Sequence, residues 1–289
     1  MAIFEQSCVA LVTPFKNKKV DFGAMQKLIE IQLKANTDAI LILGTTGEAS
    51  CISYSERAKI IKFAKNIING KAKLIVGTGS NCTEIAIKNT KQAQKLGADA
   101  VLIVTPYYNK CTQQGAILHY QKIANSVDIK IILYNVPSRT GFNLLPQTVE
   151  RLAENKNIVA IKEANSNIEH ILQLFKLCKD KIDIYCGNDN LNHIFFMQGA
   201  KGTISVVANV FPKQIKKQFS GDIKTSIKIA DVLYDFNNMC FVETNPIPIK
   251  YVLQKIGLIE NEQRLPLCPL SKDNQQPLWE CYQKTKEQL

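Results

Sequence analysis

The sequence predicts an α/β fold, a (β/α)8 TIM barrel with a small C-terminal helical cap. Short apolar segments alternate with amphipathic segments eight times within about 220 residues, the arrangement typical of a parallel barrel. The first strand–helix turn lacks the G-x-G-x-x-G pattern that would favour an open dinucleotide-binding sheet. From residue 222 onward the pattern is purely helical. We therefore predict a barrel domain over 1–221 and a helical domain over 222–289.

The predicted strands are apolar runs that stop at polar or turn-forming residues. They cover 8–12, 39–43, 73–76, 100–104, 130–133, 158–162, 182–186 and 202–205. The predicted helices cover 21–35, 55–68, 83–96, 113–126, 167–178, 211–219, 222–240, 248–257 and 274–287, with two more starting at 146 and 189. Asp21 is the predicted cap of the first helix, and Pro146 starts a helix where a missing N–H has no consequence.

The charge of the chain indicates a solvated lysine surface. The net charge is +11, but only four of the 36 basic residues are arginine, and the lysines are spread along the helices. Arginine forks are what base and phosphate recognition usually require. We therefore expect no nucleic-acid partner, although the positive surface would attract anionic substrates.

The cysteines and histidines indicate a reduced environment and no metal site. Nine cysteines are scattered without a CxxC pair, and the three histidines form no HxxxH pattern. No apolar run approaches the roughly 18 residues of a membrane span, and the N-terminus lacks a basic signal region. We expect a cytoplasmic protein without membrane attachment, metal or other cofactor.

The segment Ile158–Ala164 carries the strongest chemical signal. A buried strand ends in Lys162 and Glu163, although lysine is rarely buried. One interpretation is a lysine that reaches solvent or pairs with Glu163. The other is a desolvated amine that attacks a carbonyl and forms a Schiff base.

Residues at the other strand ends favour the second interpretation, because the carboxyl ends of barrel strands form the catalytic face. Hydroxyls of Thr45, Tyr108 and Tyr134 would relay protons, and the Gly44–Gly47 turn offers N–H donors for a carboxylate. Arg139 would bind a second carboxylate bidentately. Each residue also has a plain structural explanation, but their coincidence at one face favours a site.

With these residues, the chain resembles the dihydrodipicolinate synthase family of pyruvate-dependent class I lyases. The resemblance extends over essentially the whole chain. The segments that carry it are Gly44–Glu48, Val104–Asn109, Tyr134–Gly141, Ile161–Ala164 and Asn245–Lys250. The lysine and the glycine turn are common to the superfamily, whereas Tyr107, Tyr108 and the Arg139 loop point to the synthases.

The resemblance implies condensation of pyruvate with L-aspartate 4-semialdehyde in diaminopimelate and lysine biosynthesis. Lys162 would form the Schiff base, and Tyr134, Thr45 and Tyr108 would relay protons, with Tyr108 entering the site of a neighbouring subunit. Thr46 would hold the pyruvate carboxylate and Arg139 the semialdehyde carboxylate. The backbones of Gly187 and Ile204 would line the site. A homotetramer, a dimer of dimers, is also implied.

The chain departs from family members that lysine inhibits. Their interface site typically uses histidines and a glutamate, where this chain has Tyr54, Arg57 and Ile85, while Asn81 and Tyr107 remain. We therefore expect weak or absent feedback inhibition by lysine.

Other functions stay open at the level of sequence. Lyases of the N-acetylneuraminate lyase and 2-keto-3-deoxygluconate aldolase types share Lys162, Tyr134 and the glycine turn. Arg139 and Tyr108 argue against them, because a polyol substrate does not require an arginine at the entrance. A barrel that has lost catalysis and only binds ligands would have lost Lys162 or the hydroxyls, and the chain keeps both.

Overall fold

The computed structural model describes residues 2–289 and contains ten strands. They are β1 (Gln6–Ala10), β2 (Phe15–Lys16), β3 (Lys19–Val20), β4 (Ala39–Ile42), β5 (Lys73–Gly77), β6 (Ala100–Val104), β7 (Lys130–Asn135), β8 (Ile158–Glu163), β9 (Asp183–Cys186) and β10 (Gly202–Ser205). Eight of them form a closed parallel barrel in the order β1-β10-β9-β8-β7-β6-β5-β4, and β4 returns to β1. The predicted TIM barrel is therefore confirmed.

Twelve α-helices follow or cover the strands. They are α1 (Phe22–Lys34), α2 (Tyr54–Ile68), α3 (Thr83–Lys95), α4 (Gln113–Ala124), α5 (Pro137–Thr140), α6 (Pro146–Leu152), α7 (Ile168–Cys178), α8 (Asn192–Met197), α9 (Pro212–Ser220), α10 (Ile223–Met239), α11 (Ile247–Lys255) and α12 (Lys272–Gln288). Asp21 caps α1 through Ala24 N, and Pro146 is the first residue of α6, as the sequence predicts.

The sequence did not predict two small elements. The antiparallel hairpin β2–β3 is only two residues long on each side, and α5 is a single turn between β7 and α6. Both are too short to show hydrophobic periodicity. β7 also continues two residues past the predicted end at 133, because Tyr134 and Asn135 keep their pairing with β8.

The core has two layers separated by the barrel wall. Side chains alternate along each strand, so that Ala160 lies in the barrel interior and Ile161 in the layer between barrel and helices. At the amino end of the barrel, Phe4 stacks on Tyr185 with ring centroids 4.2 Å apart, and the Tyr185 hydroxyl donates to Phe4 O. The amino end is therefore filled, and the carboxyl end remains for a cavity.

The three C-terminal helices pack on the barrel helices. Phe211, which precedes α9, contacts Phe236 of α10 and Tyr282 of α12 with ring centroids 5.3 and 5.5 Å apart. All three belong to the outer layer of the core. The boundary at 221/222 stays a prediction. Between residues 2 and 289, no helix is both long and apolar enough to cross a membrane.

Candidate active site

A cavity of about 860 Å³ opens at the carboxyl end of the barrel. Six of the eight residues predicted from the sequence line it: Thr45, Thr46, Tyr134, Arg139, Lys162 and Gly187. The segment after α10, from Phe241 to Asn245, lines the opposite side. The fold therefore brings together predicted residues that are up to 142 positions apart in the sequence (187 minus 45).

Lys162 lies at the floor of this cavity and is 5% exposed. Its Cα pairs with Tyr134 on one side and Tyr185 on the other, which places it between β7 and β9. Its Nζ is 4.6 Å from the centroid of the Tyr134 ring. Because the strand alternates, Lys162 points into the barrel while Glu163 points to the helices. The predicted alternative of a Lys162–Glu163 pair is therefore wrong.

The contrast with Lys250 shows how unusual this amine is. These two are the buried lysines of the part of the chain that the structure describes. Lys250 Nζ lies 2.6 Å from Glu48 Oε1 and also donates to two carbonyls, whereas Lys162 takes part in no salt bridge within residues 2–289. A buried amine that no carboxylate binds is free to approach a carbonyl carbon as a nucleophile.

Two thiols, a glycine and one buried carboxyl group lie around Lys162. Cys8 and Cys186 are fully buried, and burial raises the pKa of both thiols, so both stay protonated. Gly187 packs directly on the lysine, since a Cβ at this position would lie 2.9 Å from Lys162 Cε. Burial also raises the pKa of Asp189, whose carboxylate accepts from the backbone N–H groups of Val206 and Val207.

The polar wall of the cavity is held by Asn245, which the sequence did not single out for a role. Its side-chain Nδ2 donates to Thr46 Oγ1 at 3.0 Å, and its backbone carbonyl accepts from the Arg139 guanidinium at 3.3 Å. One buried residue thus joins the glycine turn after β4 to the arginine loop after β7. Its position in the quoted Asn245–Lys250 segment was the only available signal.

Two predicted residues lie away from the cavity. Ile204 is fully buried in the barrel interior on β10, and the lining residue nearest to it in sequence is Val206. Tyr108 is 90% exposed in the loop after β6, with a positive φ of 73°. A tyrosine held in the left-handed region is uncommon, so the loop is constrained. Within one chain, the Tyr108 hydroxyl is not brought to Lys162.

A second cavity of about 690 Å³ lies beside the first and shares Thr45, Tyr134 and Arg139 with it. Tyr54, Arg57, Ile85 and Lys88 line its outer part, with the Lys88 ammonium 4.4 Å from the Tyr54 ring centroid. Burial lowers the pKa of Arg57 to about 10. The lining carboxylate, Glu48, is already bound by Lys250 and by the backbone N–H of Arg264.

Comparison with known proteins identifies a family whose sequence model matches nearly the whole chain. The sequence model described as the dihydrodipicolinate synthetase family matches residues 3–284. The chain belongs to this family.

The relatives cover nearly the full length of the chain. The 4-hydroxy-tetrahydrodipicolinate synthase of Thermodesulfovibrio yellowstonii is 48% identical over 96% of this chain and 97% of its own length. The dihydrodipicolinate synthase structure from Thermotoga maritima superposes with a TM-score of 0.97 at 42% identity, covering 99% of this chain and all of that one. The chloride-inhibited enzyme from Acinetobacter baumannii, solved with pyruvate, gives 0.95 at 40% identity and covers 98% of this chain and 99% of its own.

Residues 2–289 contain no group of three or more histidine, cysteine or carboxylate side chains placed to hold a metal ion. The nine cysteines are free thiols.

Proposed function

We propose that the chain is a 4-hydroxy-tetrahydrodipicolinate synthase that condenses pyruvate, bound as a Schiff base on Lys162, with L-aspartate 4-semialdehyde. The observation that carries the proposal is the buried, unpaired Lys162 amine at the floor of a polar-walled cavity. Family membership and the relatives' names support the reaction class.

The first half of the reaction joins pyruvate to the enzyme. The Lys162 amine attacks the keto carbon, and the carbinolamine then loses water to give an imine, which needs an acid for the leaving hydroxyl. Tyr134 is suited to be this acid, since it pairs with Lys162 on the adjacent strand and its ring centroid is 4.6 Å from the amine, and Thr45 lines both cavities beside it. Loss of a methyl proton then gives the nucleophilic enamine.

The second half forms the new carbon–carbon bond. The enamine carbon attacks the aldehyde carbon, and the amine of the semialdehyde then displaces Lys162 from the imine carbon. This displacement closes the ring and returns the free lysine. Thr46 is buried beside the cavity and is suited to hold the pyruvate carboxylate. Arg139 is exposed at its mouth, where an incoming carboxylate would first meet a cation.

A homo-oligomer completes the proposal, with a tetramer as the expected form. The exposed side chains of Tyr54, Ile85 and Tyr107 line the second cavity, and two further exposed apolar residues, Tyr108 and Leu265, are sequence neighbours of its lining residues. Such a patch favours an interface. Tyr108 on its constrained loop would cross it and add its hydroxyl to the neighbour's relay. A cytoplasmic location remains a prediction.

Borohydride trapping tests the reaction class. The protein is mixed with pyruvate, reduced and examined by intact mass and peptide mapping. A pyruvate-sized adduct on Lys162 is expected, and Lys162→Ala should give none. An adduct on Lys250, or no adduct on folded protein, would contradict the proposal. Turnover of aspartate semialdehyde, with no cleavage of N-acetylneuraminate or 2-keto-3-deoxygluconate, separates the synthase from the alternative lyases.

Subunit mixing tests the role of Tyr108. Tyr108→Phe and Lys162→Ala are each expected to be nearly inactive. Co-refolded hybrids should regain activity, because some sites then combine an intact lysine with a neighbour's intact tyrosine. Hybrids as inactive as both parents would argue against an exchanged tyrosine, and light scattering would report the oligomeric state directly.

A further inference from the structure

A group of hydrogen-bonded polar side chains, three of them buried and two half-buried, lies behind Lys162 on the outer face of the barrel wall. We call it the outer network. It consists of Asn135, Asn143, Glu163, Asn165 and His170. Glu163 is fully buried, and its carboxylate accepts from Asn135 Nδ2 at 3.1 and 3.0 Å, from Asn165 N at 2.7 Å and from His170 Nε2 at 3.0 Å. The acid–base chemistry proposed above uses none of these residues.

The strand register links this network to the reacting groups. Tyr134 pairs with Lys162, and the next pair along the same two strands is Asn135 with Glu163. Because side chains alternate, the first pair faces the cavity and the second faces the helices. The hydrogen bonds between Asn135 and Glu163 therefore fix the two strand ends whose other faces carry Tyr134 and Lys162.

The hydrogen bonds also determine the tautomer of the histidine. Asn135 Oδ1 accepts from the backbone N–H of Leu144, so its Nδ2 must be the group that donates to Glu163 and to Asn143 Oδ1. The Asn143 amide nitrogen consequently faces His170 Nδ1, 3.4 Å away, and donates to it. His170 then carries its proton on Nε2 and donates it to Glu163.

The network also reaches the loops that form the cavity wall. Asn143 lies in the loop after α5, the short helix that contains Arg139. Asn165 lies in the loop after β8, where its neighbours Ala164 and Ser166 line the cavity. Asn165 is bonded to the Glu163 carboxylate directly through its backbone N–H, and Asn143 is linked to it through Asn135 and His170.

We propose that His170, together with Asn135, Asn143 and Glu163, positions Lys162 and Tyr134 for imine formation, with the Nε2–H···carboxylate bond of His170 holding Glu163 in place. The inference rests on the proposed function, since it concerns the geometry of the Schiff-base lysine. These are positioning residues: none of them touches the cavity that receives pyruvate.

Two substitutions of His170 test the proposal. His170→Leu removes the donor, whereas His170→Gln places an amide N–H where Nε2–H was. The readouts are the rate of pyruvate trapping by borohydride at saturating pyruvate, kcat and the pyruvate KM. We expect His170→Leu to slow trapping and kcat about tenfold or more with KM within about threefold, because misplacement of a reacting group acts mainly on the chemical step. His170→Gln should stay within about threefold of wild type.

His119→Leu is the matched control. His119 is also buried on a helix, but its Nδ1 lies 2.9 Å from Thr83 Oγ1 and it makes no hydrogen bond to the network. Its loss should affect thermal stability and leave the trapping rate unchanged. This separates positioning from a general effect of removing a buried histidine.

The outcomes distinguish a failure of the proposed function from a failure of the positioning role of His170. Absence of a Lys162 adduct in the wild type would refute the proposed function itself. A wild-type adduct, together with folded His170→Leu that traps within about twofold of the wild-type rate, would overturn the positioning role alone. Equal losses in His170→Leu and His170→Gln would also overturn it. Should His170→Leu not fold, Asn143→Ala replaces it, since Asn143 is only half-buried, and an unchanged trapping rate would again overturn the proposal.

Discussion

Gly187→Ala should disable Lys162 by contact alone. An alanine Cβ would lie 2.9 Å from Lys162 Cε, 3.0 Å from Ala164 Cβ and 3.0 Å from the carbonyl oxygen of Glu163. Non-bonded carbon atoms are normally about 3.5–4.0 Å apart, so the shortfall is roughly 0.6–1 Å. The Glu163 oxygen is part of the barrel backbone and Ala164 directly follows the strand, so neither can move easily. The flexible Lys162 side chain is therefore the group that we expect to be displaced.

The displacement predicts a large kinetic effect and a smaller effect on stability. A shift approaching 1 Å in a reacting group reduces rates by about 10²-fold. Overpacking of a filled site lowers the free energy of unfolding by about 1–3 kcal/mol. We therefore expect the rate of pyruvate trapping to fall about 10²-fold, while the protein remains folded at room temperature.

Trapping kinetics and urea denaturation, applied to the same preparations, measure both quantities. Gly115→Ala is the matched control. Gly115 lies in α4 and a Cβ there would meet its nearest atom at 3.4 Å, an ordinary contact. It should leave trapping unchanged and raise stability by about 0.5–1 kcal/mol. A wild-type trapping rate in folded Gly187→Ala would refute the close packing of residue 187 on the lysine.

Three further predictions follow from other parts of the structure. Millimolar L-lysine should leave the activity unchanged. The second cavity would place the Lys88 ammonium near the lysine amine, and its lining carboxylate, Glu48, is already paired with Lys250. Clear inhibition in a steady-state assay would contradict this prediction. Lys250→Met should lower the free energy of unfolding by about 3–5 kcal/mol, because it leaves Glu48 buried without a counter-ion. Lys162→Met, which breaks no ion pair of the described residues, should unfold at the same urea concentration as the wild type or at a higher one. Equal losses of stability in the two variants would contradict this difference between the two lysines. The hydrogen bond from Arg264 lowers the pKa of Glu56 from 4.5 to about 2, so this pair stabilises the native state above pH 4.5 and the stabilisation is lost as the pH falls from 4.5 to 2. Glu56→Gln should therefore be less stable by about 1–2 kcal/mol at pH 7, after allowance for solvent screening, and should converge with wild type near pH 2; a constant difference across this range would argue against the shift.

The sequence by itself determined the fold class and the chemistry. Apolar strands and amphipathic helices alternate with a regularity that few folds share, and local hydrophobic pattern is sufficient to locate such elements. Lys162 stood out for a local reason too, since an apolar strand does not normally end in a buried cation. The hydroxyls, the arginine and the glycine turn could be assigned to one face because all strands of a barrel end on the same side.

The tertiary structure decided which of these residues meet and what holds them. Lys250 is paired with Glu48, which is 202 positions away in the sequence (250 minus 48), whereas Lys162 has no such partner among residues 2–289. A local sequence pattern cannot show this difference between the two lysines. The outer network depends on the side to which Asn135 and Glu163 point, and that side follows from register and not from composition. Tyr108 shows the same limit: one chain leaves its side chain 90% exposed, so neither the sequence nor the fold of a single chain tests its proposed part in the proton relay.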